Sequence, residues 1–110
     1  METIEFLVQG SASEPYKVSF KKVGQHLGAI CTCPAGESGQ YCKHRFNILS
    51  GSIEGVVSPN HHEVGIVAGW LAGSDLEAAL KEVERAESEF ERAKKAVTNA
   101  KKKVAALMRA

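Results

Sequence analysis

Cys31-Thr32-Cys33 and, after an eight-residue spacer, Cys42-Lys43-His44 gather every cysteine of this chain into one CxC…CxH constellation. Three thiolates and one imidazole are a complete donor set for a tetrahedral zinc ion, and they leave no corner open for a substrate water. The chemistry this implies is structural rather than catalytic. Nothing else in the sequence offers a nucleophile beside a base, a facing pair of carboxylates or a phosphate-binding loop. The expectation is a non-enzymatic protein.

Other uses of these residues compete with zinc. Ordinary buried cysteines would need no histidine at this spacing, and a redox pair usually has the spacing CxxC. An iron–sulfur centre draws on all-cysteine ligation, which His44 fits poorly. A disulfide framework would leave one of the three cysteines over, whereas zinc uses all three with His44. Bound zinc contributes roughly 10–16 kcal/mol of apparent free energy in such peptides, so residues 1–50 are expected to lose their order without it.

Positioning four donors requires an extended arm, a reversal and a helix start. Residues two apart on an extended arm point the same way, so Cys31 and Cys33 face one ion across Thr32. Pro34 and a Gly36 to Gly39 loop let the chain turn back. Cys42 and His44 then enter from a short helix carrying Phe46, Ile48 and Leu49 and stopped by Gly51, with Lys43 directed to solvent. Upstream, Thr3 to Val8 and Tyr16 to Phe20 have strand composition, with turns at Gly10 to Pro15 and Gly24 to Gly28. Ala29-Ile30 then leads into the first cysteine. The fold class expected is α+β, a small antiparallel β-meander with a zinc-bound ββα-type module.

CTCPAGESGQYCKH resembles the SWIM zinc finger, whose pattern is CxC, a variable spacer, then CxH. The preceding YKVSF strand, the proline after the second cysteine and CKH running into a helix are similar to that family as well. The resemblance covers about residues 3–50 and matches Cys31, Cys33, Cys42 and His44 to the family's zinc ligands. It implies a ββα metal module that takes part in DNA binding or protein–protein contacts. Such modules occur attached to helicase-like ATPases, transposases and ubiquitin-pathway proteins.

The remainder divides at about residues 51–73 and 74–110. In the connector, Val64, Val67, Trp70 and Leu71 have helical spacing, and Gly65 and Gly69 weaken that helix by about 1 kcal/mol each. Small residues there suggest close packing on the zinc module, with Trp70 as a core anchor. His61-His62-Glu63 reads as a polar helix entry, because adjacent side chains diverge and seldom reach one ion.

From Ser74 onward the pattern is unambiguous. Ser74-Asp75-Leu76-Glu77 is a capping box. Leu76, Val83, Phe90, Val97 and Val104 recur every seven residues, as do Ala79, Ala86, Ala93, Ala100 and Leu107. Sustained heptads of this kind predict a long coiled-coil helix. A solvated tail folded back on the head is the competing reading, but the stripe is too long for so small a module to cover.

Charge then bears on the partner. The net charge is only +1, yet acids predominate from Asp75 to Glu91 and no acid follows between Arg92 and Arg109. A parallel pair of such helices would oppose like charges, whereas an antiparallel pair opposes unlike ones. The expected partner is a second copy of the chain, antiparallel through the C-terminal helix, with a zinc module at each end. The same basic run would also suit nucleic-acid phosphates. Tyr41, Lys43 and Arg45 form the one compact basic and aromatic cluster beside the ligands, and are the candidate contacts to DNA or an acidic protein.

Two functions follow. One is a protein-interaction adaptor or inhibitory factor, and the other a small DNA-binding regulatory protein. No stretch approaches the roughly 18 apolar residues of a membrane span. The unpaired cysteines suit a reducing, cytoplasmic compartment.

Overall fold

The computed structural model describes residues 2–110. Three strands, β1 (Glu2–Val8), β2 (Tyr16–Val23) and β3 (His26–Cys31), lead into two short helices, α1 (Pro34–Glu37) and α2 (Lys43–Leu49). A 3-10 turn at His61–Glu63 precedes α3 (Val64–Leu71), and α4 (Asp75–Arg109) closes the chain. Contacts group the chain into two compact units, a head ending at Glu77 and a helical unit, Ala78–Ala110.

The sheet is an antiparallel meander in the order β1-β2-β3. Its inward face follows from period-two alternation. Phe6 pairs with Val18, Ile4 with Phe20 and Val8 with Tyr16 across β1 and β2, while Val18 and Phe20 meet Cys31 and Ala29 across β2 and β3. Phe6 and Phe20 contact edge to face, with ring centroids 6.1 Å apart. Ile48 and Leu49 of α2 and Val64 and Val67 of α3 complete the same buried cluster. Cys31, Cys33 and Cys42 therefore belong to the hydrophobic core itself.

The strands are longer than composition suggests. Val23 pairs with His26, so the β2–β3 connection is a two-residue turn rather than a Gly24 to Gly28 loop. Its first position needs a positive φ, which Gly24 supplies at 58°. Pro34–Glu37, which overlaps the expected Gly36 to Gly39 loop, forms a helical turn because proline at its start forfeits an N–H that has no helical partner there.

Both sheet edges are covered. Along β1, Val8 bridges Val56, Gln9 N–H donates to the Gly55 carbonyl and Val57 N–H to the Leu7 carbonyl, each bond 2.8 Å long. On β3, the Asp75 carboxylate accepts from Leu27 N–H at 3.0 Å and the Arg45 guanidinium donates to the Ala29 carbonyl at 3.2 Å. Occupied edge groups cannot template pairing with another chain. The connector at 51–73 is thus part of the head and covers the β1 edge.

Asp75 also binds the His26 ring, Nδ1 to Oδ2 at 2.7 Å. That hydrogen bond, followed by the one from Leu27, holds its carboxyl below the ordinary value of 3.8. The start of α4 is capped largely as expected. The Ser74 hydroxyl accepts from Glu77 N–H at 3.1 Å, but the Glu77 carboxylate accepts from Gly73 N–H, one residue earlier than the standard reciprocal bond. Leu76 packs against the head core, so the first position of the expected seam is already used within the chain. Beyond it, every residue from 84 onward is exposed, including Phe90 at 66% and Leu107 at 66%. Among the described residues no helix is long and apolar enough to cross a membrane.

In α3 the packing differs from expectation. Val64 and Val67 are buried and Trp70 and Leu71 pack against the core, Trp70 serving as the expected anchor. Gly65 and Gly69, by contrast, face open space, with nothing near where a Cβ would lie. They mediate no close approach and only loosen the helix. Gly65→Ala and Gly69→Ala should each raise stability by about 0.5–1 kcal/mol in denaturant titrations. A loss of stability in either would contradict this placement of the helix.

Candidate metal centre

Cys31 ends β3, Cys33 is the N-cap of α1, and Cys42 is the N-cap of α2, two residues before His44. The strand pleat does what the CxC spacing requires. Cys31 and Cys33 are buried on one side while Thr32 is exposed on the other. Thr32 carries the β2–β3 ladder one step further, its N–H donating to the Lys17 carbonyl at 3.1 Å and its Oγ1 accepting from Lys17 N–H at 2.9 Å. The arm that presents two ligands is therefore tied to the sheet at the residue between them.

The four donor atoms lie within 4.8 Å of one another, and this is the group among the described residues that can hold a metal ion. His44 Nδ1 is 3.6 Å from Cys42 Sγ and 3.8 Å from Cys31 Sγ. A tetrahedral zinc with Zn–S of about 2.3 Å and Zn–N of about 2.0 Å requires S···N edges of roughly 3.6 Å. The fit assigns Nδ1, not Nε2, as the ligating nitrogen. All three cysteines are free and buried.

Backbone amides surround the sulfurs. Cys33 N–H points at Cys31 Sγ at 3.5 Å and Gly36 N–H at Cys33 Sγ at 3.3 Å. Such donors stabilise thiolate and orient it for metal. Burial pushes the Cys31 thiol up to about 12. Burial would raise Cys42 too, but the Arg45 backbone N–H and the polar atoms of Cys33, Cys31 and His44 outweigh it and bring Cys42 down to about 6.

Two glycines shape the site, and spacing alone does not reveal their roles. Gly36 lies against Cys31, where a Cβ would fall 2.9 Å from the Cys31 Cβ and collide with its carbonyl oxygen. Gly10 lies under Tyr16, and a Cβ there would come within 3.2 Å of His44 Nε2. It leaves room for the Tyr16 ring to rest on the His44 imidazole, centroids 5.2 Å apart.

The candidate contact residues diverge. Tyr41 is exposed and stands edge-on to Phe46, with centroids 5.3 Å apart. Lys43 is exposed, as its spacing predicts. Arg45 is half-buried, and its guanidinium also reaches the Gln40 carbonyl, so it ties the α1–α2 loop to β3. Of the three, Tyr41 and Lys43 present a free surface. The His61 and His62 rings are 6.2 Å apart in an exposed turn, outside the metal cluster. No family model, curated protein or solved structure matches this chain.

Chelating the metal should abolish the cooperative thermal transition of the head, and Cys33→Ser should do the same with zinc present. A transition that survives chelation unchanged would refute a metal-built head. Gly36→Ala should weaken zinc binding in a competition titration by roughly 10–100-fold, the range seen when ligand supports are disturbed. Unaltered affinity would show that the Cys31 backbone is free to shift.

Proposed function

We propose that this chain is a non-enzymatic zinc-pinned interaction module of SWIM type, carried on a helix that pairs antiparallel with a second copy. It acts as an adaptor or inhibitory factor by binding another protein. The observation that carries this reading is the closed donor set. Three buried sulfurs and an imidazole fill a tetrahedral shell, so zinc here organises the head and offers no site for a reacting group. The order of strands, CxC arm and CxH helix entry supports the SWIM likeness.

The same reading accounts for α4. At about 1.5 Å per residue its 35 residues extend about 50 Å. A solitary helix gains most of its stability by packing an apolar face. Phe90, Val97, Val104 and Leu107 are each more than half exposed in the single chain. Pairing covers them. With the helices joined, the exposed Tyr41 and Lys43 beside the metal are the first residues to test for contact with the target protein. The three free thiols fit a reducing compartment.

The acid-free basic segment from Arg92 to Arg109, exposed along its length, favours a second reading as a nucleic-acid binder. Titrating random duplex DNA against salt separates the two. Micromolar affinity with a steep salt slope supports the second, and no binding at low salt removes it. For the pairing itself, Phe90→Glu should convert dimer to monomer in analytical ultracentrifugation. An unchanged dimer would exclude α4 as the interface.

A further inference from the structure

We infer that two copies of α4 pair in one register, with the two-fold axis passing between Glu91 and Arg92. This rests on the antiparallel pairing proposed above and specifies what the pairing must look like. In an antiparallel coiled coil, each seam position of one series meets a position of the other series on the facing helix. The axis at Glu91 and Arg92 sets Phe90 against the partner's Ala93, Ala86 against the partner's Val97, and Val83 against the partner's Ala100. Ala79 then meets the partner's Val104. Every one of these layers joins an alanine to a larger residue, so the two helices keep a constant separation and leave neither clash nor void. A parallel pair would instead alternate Phe or Val layers with Ala–Ala layers.

The flanking charges select the same register. Residues beside the seam meet their own kind across an antiparallel interface, which sets Glu87 against the partner's Lys94 and Glu82 against the partner's Lys103. All four are exposed in the single chain. Sliding one helix by a heptad sets Val83 against the partner's Leu107 in one direction and loses a layer in the other. It also brings Lys94 onto the partner's Lys94, or Glu87 onto the partner's Glu87. In the parallel arrangement Glu82 faces the partner's Glu87. Only the proposed register satisfies the alanine spacing and the charges together.

The consequence is a bivalent particle. Leu76 packs into its own head, so the shared seam begins at Ala79 and the two α4 N-termini stand about 50 Å apart. Two identical heads on one paired helix bind a repeated or dimeric target with far higher avidity than either alone.

Charge reversal in the full-length, zinc-loaded protein tests the register by sedimentation equilibrium at low salt. E87K should weaken the dimer roughly 5- to 30-fold, since two attractive contacts become repulsive. K94E should weaken it comparably, and E87K/K94E should restore it. A parallel dimer would be tightened by E87K, and the heptad-shifted dimer with facing Lys94 residues would be left unweakened by K94E, since one like-charge pair replaces another. Either result, or a double variant no better than the singles, overturns the register while leaving self-pairing intact. A native chain that stays monomeric at every concentration overturns the pairing and the register together.

Discussion

Bringing three sulfurs and one ring nitrogen within reach of a single ion is the constraint on which the head depends. The head is small, and its core is built from a few side chains on one sheet face, with Cys31, Cys33 and Cys42 among them. A chain of this size commonly needs a staple. The cluster that could hold a metal lies where the last strand, the α1 turn and the start of α2 converge, so an ion bound there would supply it. Removing the ion leaves buried thiols that repel one another as thiolates and contribute little as neutral groups. Metal bound at such a site would make affinity and folding one free energy.

Around that point the structure spends its irregular features on orientation. Thr32 anchors the arm between two ligands, Gly36 lets α1 close over Cys31, and Gly10 gives Tyr16 access to the outer face of His44. Arg45 and Asp75 meanwhile satisfy polar groups along β3. The open polar groups of a small sheet are a liability, and the head meets it with these side chains. The surface left for a partner is consequently narrow beside the metal and long on α4.

Much of this was legible in the residues. The ligand set, the meander and the long helix each rest on a strong periodic or spacing rule, and all three are present. What spacing could not reveal has a physical reason in each case. Gly24 to Gly28 looks like one turn because glycine is counted as a breaker, yet Gly28 simply pairs with Lys21 inside the hairpin. Gly65 and Gly69 look like packing contacts, but which face a weakly amphipathic helix buries depends on tertiary neighbours. Arg45 looks like a free cation until the fold brings the Ala29 carbonyl to it. Leu76 obeys the heptad, and the head takes it because it lies one turn from the cap.

The central claim, that one zinc ion is held by Cys31, Cys33, Cys42 and Nδ1 of His44, is tested most directly by X-ray absorption spectroscopy of the zinc-loaded protein. The account predicts one zinc per chain with three sulfurs at about 2.3 Å and one nitrogen at about 2.0 Å. A shell containing a water oxygen, or fewer than three sulfurs, would contradict it.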